Sequence, residues 1–108
     1  MSVGLVKVCS ADEVPEGEAR RFDVAERLIA VANLGEQGFR AVDAICSHAH
    51  YFLDEGDVDV EDESIECPKH GSTFDLNTGR AITLPATVPV AAYAVKLEGD
   101  DVLIEVDE

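Results

Sequence analysis

Apolar positions in this chain recur mostly in twos, or in short unbroken runs between turn residues, and helical periodicity is weak, so strands are predicted. Leu5-Val6-Lys7-Val8 reads as the opening strand. Ser10-Ala11-Asp12-Glu13 offers one short helical turn, a serine followed three residues later by glutamate. Glu13-Val14-Pro15-Glu16-Gly17 breaks the chain before a strand over Ala19 to Val24. Arg27-Leu28-Ile29-Ala30-Val31-Ala32 is suited to burial on both faces, and Gly35-Glu36-Gln37-Gly38 joins it to Phe39-Arg40-Ala41-Val42-Asp43, which runs to Cys46. Leu53-Asp54-Glu55-Gly56 is a turn. Asp57-Val58-Asp59-Val60-Glu61 alternates, valines toward a core and acids toward water. Glu61-Asp62-Glu63 reverses the chain and Ser64-Ile65-Glu66 returns it to Cys67. Ser72, Thr73 and Phe74 lead into a turn over Asp75 to Gly79, Leu84 to Pro89 is a stiff loop, and Tyr93 to Leu97 with Val102 to Val106 make a last hairpin.

These elements predict an all-β fold, a small β-sandwich or barrel with an inserted subdomain at about residues 45–85. The 108 residues suffice for one domain, 1–108, and not for a second catalytic unit. No repeat, low-complexity tract or linker interrupts them. With 46% hydrophobic residues the chain has enough apolar material for a core and is not disordered.

Charge narrows the partners. Twenty-three acids against eight bases give a formal charge of −15, which excludes phosphate-backbone binding and favours a partner with a basic docking patch. No apolar run approaches the roughly 18 residues of a membrane span, and the N-terminal residues lack the pattern of a secretory signal. A cytoplasmic protein is expected. Of three cysteines, Cys9 stands apart near the first strand and reads as a buried structural thiol, consistent with a reducing compartment.

The other two belong to a pattern. Cys46-Ser47-His48 and Cys67-Pro68-Lys69-His70-Gly71-Ser72 are two half-sites, each offering one thiolate and one imidazole, with residues 49–66 between them. The out-and-back strand pair across that interval is expected to return the second half-site to the first. Four such donors suit tetrahedral zinc, although zinc fingers usually group cysteines with cysteines and histidines with histidines. They also suit a binuclear cluster in which one iron takes two cysteines and the other two histidines.

Cys-x-His followed by Cys-Pro-x-His-Gly-Ser resembles the cluster-binding motif of the Rieske family, and the likeness extends through nearly the whole chain. The resemblance implies one [2Fe–2S] cluster per chain, with Cys46 and Cys67 on one iron and His48 and His70 on the other. His50 is a competing imidazole that the family pattern leaves off the metal. Two ferric ions, two sulfides, two thiolates and neutral imidazoles carry no net charge, so an electron is accepted more readily than by an all-cysteine cluster. The reported ranges follow, roughly −150 to +300 mV against about −400 mV. The resemblance further implies outer-sphere transfer past an exposed histidine edge, with no catalytic acid, base or nucleophile.

Departures from the respiratory members place the expected potential low in that range. Their ligand loops share a disulfide, which Ala49, His50, Tyr51 and Lys69 do not provide, and Phe74 stands where they carry a tyrosine. Gly71 allows close backbone approach, and the Ser72 hydroxyl is a candidate donor to sulfur. Pro85 to Pro89 resembles the loop that covers the cluster. Tyr51 and Phe52 fit either a docking rim or packing beneath the first loop. As partners the family implies a reductase and a terminal oxygenase, or another redox protein including one in iron–sulfur assembly, with a monomer as the default. A zinc-stabilised interaction module is the reading from a different class.

Overall fold

The computed structural model describes residues 3–24, 26–46, 51–69, 71–84 and 87–107. Among the described residues, ten antiparallel strands form three sheets. Strands β1 (Val3–Ser10), β10 (Asp101–Asp107) and β9 (Val95–Glu98) make the first, in that spatial order. The second runs β2 (Ala19–Val24), β3 (Arg27–Asn33), β4 (Phe39–Asp43) and β8 (Ala92–Tyr93). The third is small, with β5 (Val58–Asp59), β6 (Ser64–Glu66) and β7 (Thr73–Asp75). The all-β architecture follows the apolar pattern.

Period-two alternation on β3 organises the interior. Ile29 and Val31 enter one buried cluster with Cys9, Val24, Ala41, Val102 and Ile104. Ala30 and Ala32 face the other way, into a cluster with Val42, Leu53, Ile65, Phe74 and both Cys46 and Cys67. The second sheet is therefore buried on both faces, as the unbroken apolar run of β3 predicts. Cys9 enters its cluster through a β-bulge, where register shifts between Lys7 and Cys9 against β10. Burial, with Glu13 nearby, pushes its thiol up to about 11, which fits an inert structural cysteine.

Turns carry their expected chemistry. The Glu13 carboxylate accepts the Ser10 amide at 2.6 Å over a single 3₁₀ turn, Ala11–Glu13. The last hairpin closes more tightly than its sequence suggests, with Glu98 and Asp101 as its final pair. The strand expected over residues 57–61 is shorter, because the Asp59 carboxylate accepts the Asp62 amide at 3.0 Å and begins the reversal early. Val58 and Val60 still pack against the core. Arg40 of β4 secures this region to the second sheet, donating to Glu63 at 2.9 Å and to Asn77 at 2.6 Å.

The 3₁₀ turn Leu53–Glu55 packs on β2 and β3. Within it Asp54 has one buried carboxylate oxygen with no hydrogen bond, and the Arg21 guanidinium stands 3.9 Å from that oxygen, too far to donate. Burial raises its carboxyl above the ordinary value, with Arg21 pulling back only in part. A folded pKa that is raised contributes stability fully below the unfolded value and loses it as pH rises through the folded one. Asp54→Asn should therefore gain on the parent as pH climbs. Urea midpoints of the two chains at about pH 4 and about pH 7 test this, and an asparagine midpoint that falls relative to the parent's as pH rises would contradict it.

Candidate metal centre

Beyond β4 the chain passes Ala44, whose amide donates to Leu28 at 2.9 Å, and reaches Cys46 at the mouth of a loop. Three contacts close the base of that loop. Ile45 bridges Phe52 in antiparallel fashion, the Cys46 amide donates to the Tyr51 carbonyl at 2.9 Å, and the Leu53 amide donates to Ala44 at 2.7 Å. Fully buried Leu53 anchors the exit.

The second loop leaves β6 directly. The Cys67 amide donates to the Ser72 carbonyl at 2.7 Å, and the Gly71 amide returns to the Cys67 carbonyl at 3.1 Å. That tight return needs a left-handed residue, which Gly71 supplies at φ +76. Ser72 is fully buried.

Each loop thus begins on a cysteine at its closed end. Cys46 is 3% exposed and Cys67 0%, and both lie in the one apolar cluster with Ile65 and Phe74. The out-and-back strand pair makes this meeting possible, with Val58 opposite Ile65 in β5 and β6. Two buried thiols in apolar surroundings are soft donors, and a thiolate held there calls for a cation. The donor chemistry fits an iron–sulfur centre. His48, His50 and His70 lie outside the described residues, and so does Pro85. Among the described residues no three of His, Cys, Asp and Glu come together.

Other contacts around the loops have no signature in the sequence. The Thr83 hydroxyl accepts the Thr73 amide at 2.9 Å and reaches the Gly71 carbonyl at 3.4 Å, tying the segment before residues 85–89 to the second loop. Phe52 is half-buried against the core with the Arg21 guanidinium 3.6 Å from its ring centroid, so it packs beneath the first loop. Tyr51 instead stays 40% exposed.

The model of the Rieske [2Fe-2S] domain matches residues 4–94. This chain belongs to the Rieske family. The chain is 42% identical over 105 residues to the ferredoxin component of biphenyl 2,3-dioxygenase from Rhodococcus jostii (strain RHA1), covering 97% of this chain and 95% of that one. Among solved structures it superposes on the ferredoxin of carbazole 1,9a-dioxygenase from Nocardioides aromaticivorans IC177 with a TM-score of 0.87, at 35% identity, over 93% of this chain and 95% of that chain. It is also similar to a protein in the complex of reduced oxygenase and oxidized ferredoxin in carbazole 1,9a-dioxygenase, with a TM-score of 0.81 at 34% identity, over 93% and 91% of the two chains. As a Rieske ferredoxin this chain carries one [2Fe–2S] cluster and transfers electrons, and it is not itself an oxygenase.

Proposed function

We propose that this Rieske ferredoxin carries single electrons from a reductase to the terminal component of a ring-hydroxylating dioxygenase. The end-to-end likeness to a dioxygenase ferredoxin component carries this reading. Cys46 and Cys67 are the thiolate ligands of one iron and His48 and His70 the imidazole ligands of the other, while His50 is not a ligand. Two buried cysteines at the closed ends of two loops support that choice. When bound, the cluster accepts and releases one electron at a potential set by its mixed ligands.

The protein's own residues hold the two loops, keep water from the sulfur side and shape the approach of the partner. Cys46, Cys67, Phe74 and Ile65 exclude solvent beneath the site. Exposed Ile45 and Tyr51 flank the first loop, and Ile82, Leu84 and Val88 flank residues 85–86. Apolar side chains at these positions suit a brief docking contact. The overall charge of −15 supports steering toward a basic partner surface, an effect that salt weakens.

We read the chain as a single domain, 1–108, whose cluster-bearing subdomain spans about 45–85. Among the described residues no helix is long and apolar enough to cross a membrane. A cytoplasmic monomer is the state proposed, supported by the free buried thiol of Cys9. Phe74 is fully buried and brings no hydroxyl to the sulfur side, which supports a potential in the lower part of the roughly −150 to +300 mV range.

Metal analysis and voltammetry on the purified chain test the proposal together. About two irons and two acid-labile sulfides per chain are expected, with the low potential just given. One zinc and no sulfide would replace the carrier with an interaction module. A respiratory-like positive potential would refute the assigned environment. Electron delivery from a matched reductase to a ring-hydroxylating oxygenase, abolished when this chain is omitted, is the functional result expected.

A further inference from the structure

Tyr51 and Lys69 belong to different ligand loops. Tyr51 closes the first through its carbonyl, and Lys69 sits inside the second, between Pro68 and residue 70. The Lys69 ammonium nevertheless stands over the Tyr51 ring, 5.6 Å from its centroid. That lies within the distance at which a cation is attracted to an aromatic face.

Charge makes the placement informative. Lys69 is the sole lysine or arginine between residues 41 and 79, a stretch that holds ten acids. Among the described residues it nevertheless makes no ion pair within 4 Å, and it faces the aromatic ring instead. The next residue along repeats the arrangement, since Arg21 of β2 lies over Phe52. Two adjacent rings at the exit of the first loop are thus each faced by a cation. Arg21 ties that exit to the second sheet, and Lys69 ties it to the second ligand loop.

We propose that Lys69 and Tyr51 form a non-covalent latch between the two ligand loops, and that closing it slows escape of the cluster. The inference rests on the ligand assignment proposed above. Lys69 and Tyr51 act here as positioning residues. The attraction is between a charge and a ring face, so it needs the ammonium and the ring but not the tyrosine hydroxyl. Both side chains are exposed, and their replacement leaves the buried clusters intact.

Decay of the visible cluster absorbance under a chelator, followed in the holo-protein, reads the latch. Lys69→Met and Tyr51→Leu are each expected to lose the cluster about two- to fivefold faster than the parent, the range for an exposed cation–π contact. The double variant should be no faster than either single one, because both remove the same contact. Lys69→Arg and Tyr51→Phe should match the parent. Additive single effects, or a Tyr51→Phe variant as fast as Tyr51→Leu, would overturn the latch while leaving the ligand assignment standing. A parent chain without iron or sulfide would overturn the ligand assignment and the latch with it.

Discussion

Cys67→Ala should yield a folded but colourless chain, with iron and sulfide far below the parent's. Cys67 is wholly buried at the closed end of its loop, and its sulfur cannot be replaced from elsewhere in the fold. The free thiol of Cys9 lies in the opposite cluster, across the second sheet, with its proton held up to about 11. Water is a poor substitute, because Cys67 is wholly buried and belongs to an apolar cluster with Ile65, Phe74 and Leu76. Loss of partners merely adjacent to metal ligands costs about 10–100-fold in affinity, so loss of Cys67, if it is the ligand proposed, should cost more. The histidines extend the test. His48→Ala should destroy the spectrum of a mixed-ligand centre, whereas His50→Ala should retain it. The reverse pair of outcomes would reassign the first loop's imidazole.

Gly56→Ala should be severely damaging for a single added methyl. A Cβ at Gly56 would lie 1.7 Å from the Glu66 carbonyl oxygen, 2.9 Å from its carbon and 3.3 Å from the Pro68 ring. Backbone strain is not the cause, since φ is −92 and any residue adopts that value. The cause is contact with the strand that ends one residue before Cys67. Glu66 cannot retreat freely, because its amide donates to Asp57 at 2.9 Å and it pairs with Thr73 of β7. Overpacking of this kind costs about 1–3 kcal/mol, occasionally more. In a domain of this size a midpoint fall of roughly 10 °C or greater is expected. Thermal unfolding of the apo chain measures it without reference to the metal. Gly17→Ala is the control, since its added Cβ meets nothing within 4 Å and only the left-handed φ of +80 is penalised. Equal losses at the two positions would refute the steric account.

What could be read beforehand follows the range of the forces involved. β3 was legible because five consecutive apolar residues, Leu28 to Ala32, declare burial on both faces, and the turn over Asp75 to Gly79 because its residues supply their own hydrogen bonds. The two half-sites were legible because metal ligands must be particular residue types at short spacing. β7 was not, since Thr73 and Phe74 read only as a lead into a turn, and neither was the break that puts β8 and β9 in different sheets, since Tyr93 to Leu97 read as one strand. The register of β7 and β8 comes from partners elsewhere, Ile65 opposite Phe74 and Val42 opposite Ala92. Gly56 carries no local signal for the same reason. Its need for a missing side chain is imposed by a carbonyl ten residues away. Likewise nothing near Tyr51 or Phe52 announces Lys69 or Arg21.

The alternation of β3 has a consequence for how such a carrier ages. Ile29 and Ala30 are covalent neighbours, yet each answers to a different reservoir of buried apolar surface. If Cys46 and Cys67 hold the cluster as proposed, its loss is expected to disturb the reservoir that contains them first, since the strands around Val102 and Ile104 lie on the other side of the second sheet. A spent molecule would then be expected to retain the pairing of β1 with β10 beneath the emptied loops.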